Sequence, residues 1–150
     1  MDSVNLIKQG FECGWDEDDE KEGSCKLQQK VQGVCPKGWH LPSVEEWRTL
    51  YTSTGSSYKT ISAKGFEKWN KKGTDDYGFS LLPSGATHVS SPAVSYFFQT
   101  INGAGEYTVF WTSTENNAQW AYKCEFDDKS DAILTEGDKY NGYSVRCVKD

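Results

Sequence analysis

Apolar positions in the middle and C-terminal parts of the chain fall into a few short, well-marked patterns. Between residues 43 and 55, Val44, Trp47, Leu50 and Tyr51 recur at helical spacing and share one face. Ser43 is a natural N-cap, and Glu46 three residues later completes a capping box. Pro42 keeps Leu41 extended ahead of the cap, and Gly55 supplies a stop. A weaker helix is predicted over residues 60–70, with Ile61, Phe66 and Trp69 as its apolar members. Strand patterns then dominate the last third. Tyr107–Trp111 is β-branched and aromatic, and QWAYKCEF (119–126) alternates, with Trp120, Tyr122, Cys124 and Phe126 on one face. YSVRCV (143–148) alternates as well and is predicted to be the last strand, with Trp111 assigned to the core. Turns are expected at DDKSD (127–131) and EGDKYNG (136–142), and a short strand near Val4–Leu6.

Between these blocks the pattern dissolves. Residues 70–107 are dense in Gly, Pro, Ser, Asp and Asn, which marks a long irregular region of the kind that is functional or covers something. The order of elements therefore predicts an α+β domain: one or two helices, a long loop region and a small antiparallel sheet. The 150 residues are read as one domain, residues 1–34 forming an N-terminal strand and a Cys-bounded acidic loop and residues 35–150 the core.

Charge and cysteine content narrow the function. A net charge of −6 disfavours nucleic acid, and no apolar run is long enough to span a bilayer. Five cysteines without a Cys-x-x-Cys pair, and only two histidines, read better as disulfides in an oxidising compartment than as a metal site. MDSVNLIKQGF shows no secretion signal, so the expectation is a mature extracellular or bacterial cell-surface domain. Cys13 and Cys25 flank GWDEDDEKEGS, and a bridge between them would close that acidic block into a surface loop. Asp16, Glu17, Asp18, Asp19 and Glu20 offer hard oxygens suited to Ca²⁺, but without the EF-hand spacing; a solvated loop with no cofactor is the default.

The residues CPKGWHLPSVEEWRTL (35–50), GTDDYGFSLLPSG (73–85), FWTSTENN (110–117), Ala121-Tyr122 and YSVRCVKD (143–150) resemble, in order, the Fibrobacter succinogenes major paralogous domain. The resemblance implies a C-type-lectin-like fold in a secreted or surface-attached bacterial protein. It further implies a Cys35–Cys147 bridge joining the entry of the first helix to the last strand, with Trp39, Leu41 and Trp47 packed beneath it and His40 satisfied by backbone carbonyls. Cys124 has no counterpart in the family; it is read as a buried inert thiol, with pairing to Cys13 or Cys25 left open.

No nucleophile–base constellation is found. Asp75-Asp76 and Asp127-Asp128 read as turn formers rather than a glycosidase pair. The excess of rings and amides in the C-terminal loops points instead to an extracellular non-catalytic binding module, with polysaccharide as its expected ligand. Its candidate residues are Asn116, Asn117, Gln119 and Trp120 on one loop and Asp138, Tyr140 and Asn141 on the next, with Trp69, Asn70, Asp75 and Asp76 as second choices. The alternative is a structural or adhesive module that binds another protein; an enzyme is the remote third reading.

Overall fold

The computed structural model describes residues 30–65, 72–88, 101–127 and 132–150. The elements in chain order are β1 (Trp39–His40), α1 (Val44–Ser53), α2 (Tyr58–Ile61), β2 (Ala86–Thr87), β3 (Ile101–Asn102), β4 (Tyr107–Glu115), β5 (Trp120–Asp127), β6 (Ile133–Asp138) and β7 (Val148–Lys149). The expected N-terminal strand, the acidic run, Cys13 and Cys25 lie outside the described residues.

Helix α1 begins where the sequence predicts. The Ser43 hydroxyl accepts from the Glu46 N–H at 3.2 Å, while Glu46 Oε2 accepts from the Ser43 N–H at 2.8 Å. Its inward face is carried by Trp47, with Leu50 and Tyr51 packed at the margin of the core. Helix α2 is a single turn, and residues 62–65 are not helical, contrary to the helix expected over 60–70, whose residues 66–70 lie outside the described residues. The physical reason is a competing pairing: Ser62 turns extended, and the segment exchanges backbone hydrogen bonds with Leu81 (Ala63 N–H to Leu81, 3.0 Å; Leu81 N–H to Ile61, 2.9 Å).

The main sheet is antiparallel in the order β4-β5-β6. Strands β4 and β5 match the sequence reading. The third strand does not: Ile133–Asp138 pairs with β5, whereas the Tyr143–Cys147 stretch makes one parallel bridge, Ser144 to Phe110 on β4. The predicted strand over 143–148 is thus corrected to an irregular run ending in β7, which pairs with β1. Its side chains are drawn in separate directions, Tyr143 onto Trp111, Arg146 over the Phe79 ring and Cys147 to Cys35, which an extended ladder strand would not allow. The turn expected over 136–142 likewise begins only after Asp138.

Sheet and helices meet in a core of Trp47, Tyr58, Ile61, Leu81, Phe110, Cys124 and Phe126. Trp47 lies 5.1 Å from Phe110 and 5.8 Å from Phe126, centroid to centroid. The architecture is α+β; of the middle region, Gly85 bridges Thr108 on β4 and the following residues form the short β2–β3 pair. Gly85 makes the approach of β3 possible, since a Cβ there would sit 2.3 Å from the Asn102 carbonyl oxygen.

Cys35 and Cys147 are disulfide-bonded across 112 positions, and Cys124 carries a free buried thiol. Two expectations about the opening motif are corrected. Trp39 is 39% exposed, on the side of the two-residue ribbon opposite the buried His40, whereas Trp47 enters the core. His40 is buried, but its partners are two carboxylates, Glu46 and Asp150, rather than backbone carbonyls. Trp111, assigned to the core by its place in a strand, is only half-buried: alternation puts Phe110 on the core face and Trp111 on the opposite one.

Candidate functional site

The two loops nominated from sequence lie together at one end of the sheet, because the β5–β6 register sets Trp120 opposite Asp138. Asn117 shapes the first. Its backbone N–H and that of Asn116 close on the Trp120 carbonyl, both at 3.0 Å, and its Oδ1 accepts from the N–H groups of Gln119 at 3.0 Å and Trp120 at 2.9 Å. Asp138 shapes the second by accepting the Tyr140 N–H at 2.9 Å on Oδ1. The loops are tied to each other. Gln119 Nε2 donates to Asp138 Oδ2 at 3.1 Å, the Lys139 N–H donates to the Gln119 carbonyl at 3.0 Å, and the Lys139 ammonium meets Glu115 and the Asn117 carbonyl.

Within this braced turn pair Trp120 remains 36% and Tyr140 46% exposed. These are large, stiff rings on backbone that local bonds already fix, so a ligand meeting them does not have to order the loops first. Around them stand Asn116 and Gln119, both exposed, and the Asp138 carboxylate. Six of the seven nominated residues are brought together here. Asn141 turns instead toward the sheet, where its Nδ2 donates to the Tyr143 hydroxyl at 2.8 Å.

That hydroxyl belongs to a second cluster, which the sequence reading missed. On the sheet face opposite the core, Tyr143 lies 4.3 Å from Trp111, Lys123 is 5.8 Å from its ring centre, and His88 meets it edge-on. Lys123 forms a half-buried ion pair with Glu125. Gly137 leaves the room this requires: a Cβ there would be 2.7 Å from the Tyr143 ring. Burial pushes the Tyr143 hydroxyl above its ordinary range, partly offset by the Asn141 donor. Burial, then the nearby Glu125 charge, does the same to Tyr107. The residues come from positions 88, 111, 123, 137 and 143, and the local signals were the alternation of β4, which put Trp111 out of phase with Phe110, and that of β5, which put Lys123 on the face opposite Cys124.

Of the second-choice residues, Trp69 and Asn70 lie outside the described residues. Asp75 is committed to its own loop, its carboxylate accepting both the N–H and the hydroxyl of Ser80 at 2.7 Å. Those bonds, the Ser80 N–H first, hold it below the usual carboxylate range. Asp76 accepts from the Thr74 hydroxyl at 3.0 Å. Both act as turn formers, as the sequence reading has it. Asp127, read the same way, instead ends strand β5 opposite Tyr107. Residues 128–131 of the turn expected there lie outside the described residues. Among the described residues no group of three His, Cys, Asp or Glu side chains is placed to hold a metal ion, and no helix is long and apolar enough to cross a membrane.

Comparison with curated proteins and with solved structures returned no match. The family model of the Fibrobacter succinogenes major domain matches residues 16–149, a span that reaches back past the motif at Cys35 into the acidic run. With nearly the whole length matched and the quoted motifs inside it, the chain belongs to the Fibrobacter succinogenes major domain family.

Proposed function

We propose that this chain is a non-catalytic binding module, working outside the cell or on its surface, that holds polysaccharide on the turn pair bearing Trp120 and Tyr140. One observation carries the reading: two exposed rings stand on turns braced by Asn117 and Asp138, among amide and carboxylate groups suited to sugar hydroxyls. Pyranose rings present apolar faces to such rings, while their hydroxyls meet amides and carboxylates. A C-type-lectin-like fold fits the same proposal; the β1–β7 ribbon and the Cys35–Cys147 bridge, which bring distant parts of the chain together, support it. No cofactor is required at this turn pair.

The test is retention of the protein on a panel of plant and bacterial polysaccharides, with added Ca²⁺ and with EDTA, for wild type, Trp120→Ala and Tyr140→Ala. Trp120 is 36% and Tyr140 46% exposed and neither belongs to the core cluster, so each variant is expected to stay folded while losing retention, with Trp120→Ala costing the more stability. Loss only in EDTA would move the site to a metal, with Asp16–Glu20 the place to look. Failure of every polymer to retain wild type would overturn the sugar reading and turn attention to a protein partner, which the same rings would also suit.

A further inference from the structure

His40 stands between two carboxylates from opposite ends of the described chain. Its Nδ1 is 2.7 Å from Asp150 Oδ1, just beyond β7, and its Nε2 is 2.8 Å from Glu46 Oε1 on α1. The ring is buried, whereas the Asp150 side chain is 46% exposed. A neutral imidazole has one N–H and donates to one carboxylate only; satisfying both requires the imidazolium. The remaining charges follow from the packing. Lys30 lies 3.6 Å from Asp150 Oδ1, and Lys149 pairs with Trp39, on the other side of the ribbon from His40.

We infer that His40 is the pH-sensitive pin of a latch that holds the β1–β7 ribbon shut, and that losing its second proton releases the Asp150 side first. The order of release follows from what else holds each carboxylate. Glu46 Oε2 accepts from the N–H and the hydroxyl of Ser43, so Glu46 stays in place and keeps the remaining ring proton. Asp150 is otherwise held near the ribbon by the 3.6 Å contact with the exposed Lys30 ammonium and by its own N–H, which donates to the Gly38 carbonyl at 3.0 Å. Its side chain is 46% exposed to water, where such an ion contact is weak. The Glu46 hydrogen bond, with Asp150 adding to it, outweighs burial and raises the ring's proton affinity. The latch is therefore closed below the ordinary histidine range and opens as pH rises through the raised midpoint. The Cys35–Cys147 bridge tethers the strand meanwhile, so opening is local.

The experiment is a pH titration of the ¹⁵N-labelled full chain, following the His40 ring nitrogens and the exchange of the Asp150 amide, corrected for intrinsic base catalysis. Only two histidines are present, and His88→Ala assigns the spectrum. His40 is expected to titrate above its midpoint in the urea-unfolded chain. The corrected Asp150 exchange should rise through that midpoint by about tenfold per unit of upward shift. Asp150→Asn changes an exposed side chain and should lower the ring's midpoint and flatten the rise. A midpoint at or below the unfolded value, a midpoint unmoved by Asp150→Asn, or a corrected exchange rate flat through the titration would each overturn the latch.

Discussion

The cross-link between Cys35 and Cys147 is the covalent tie between the entry to α1 and the segment leading into β7, and its removal has a calculable cost. The bridge closes a loop of 112 positions. In the chain-entropy model such a closure restricts the unfolded ensemble by roughly 4–5 kcal/mol. Total stability for a domain is about 5–15 kcal/mol, so about a quarter or more of it hangs on one bond. Among the described residues β7 is otherwise held at that corner by a ribbon of two residues per strand, the His40 and Lys30 contacts of Asp150 and the Asp150 N–H bond to the Gly38 carbonyl. The perturbation is Cys35→Ser with Cys147→Ser, which avoids reductant and leaves any other bridge intact. Urea unfolding followed by tryptophan fluorescence should show a loss of roughly 4–5 kcal/mol, and a thermal scan a fall of about 8–20 °C for a chain of this size. Because the unfolded state expands when the link is cut, the slope in urea should steepen as well as the midpoint fall. A loss under about 1.5 kcal/mol with an unchanged slope would refute the reasoning, since the unfolded chain would then not have been constrained by the bridge.

Three further outcomes follow from particular contacts. Gly137→Ala pushes a methyl into the Tyr143 ring at 2.7 Å and toward Lys123 at 3.2 Å, and should cost about 1–3 kcal/mol in urea unfolding; a neutral result would mean that Tyr143 does not rest on the sheet. Burial alone would raise the Glu46 carboxyl, but the Ser43 N–H, the His40 ring and the Ser43 hydroxyl together hold it below its ordinary value. Its contribution to stability is therefore present above the ordinary value and lost as pH falls through the lowered one, so wild type should lose more stability than Glu46→Gln in acid; parallel pH profiles would contradict this. Burial pushes the Cys124 thiol up to about 12, so it should resist a thiol reagent at pH 8 in the folded protein and react once denatured, and rapid labelling of the native chain would show the packing to be wrong.

How much of this was legible beforehand depends on the range of the interaction concerned. Helix α1 was, because Ser43 and Glu46 sit three residues apart and cap each other without help. Strands β4 and β5 were, because β-branched and aromatic residues alternate within each. Strand β6 was not: Glu136, Gly137 and Asp138 have turn chemistry, and only pairing with Trp120, Ala121 and Tyr122 makes them a strand. The opposite error, reading 143–148 as a strand, has the same root. Tyr143 and Arg146 are drawn to Trp111 and Phe79, partners far off in sequence. The candidate loops were nominated from composition alone, and what sets them side by side is a register that no local pattern reveals.

The motif at residues 35–47 supports the turn pair bearing Trp120 and Tyr140 as well as the ribbon. The Pro42 carbonyl accepts the Ser113 N–H at 2.9 Å, and the Val44 N–H, one of the unpaired donors at the helix start, gives its hydrogen to the Thr114 hydroxyl at 3.1 Å. These contacts grip β4 where its register with β5 shifts between Trp111 and Glu115. Within that irregularity Thr112 is the brace: its hydroxyl donates to the Tyr122 carbonyl at 2.8 Å and accepts the Thr114 N–H at 3.1 Å. The strand thus leaves the helix start already bent toward Asn116 and Asn117. The disulfide, the His40 carboxylate pair and the capping box all fix the start of α1, and the start of α1 fixes the base of the loop that carries Trp120. Side chains at the start of α1 therefore set where the rings of Trp120 and Tyr140 stand, and Cys35, His40, Pro42 and Trp47 of one short motif all serve that corner.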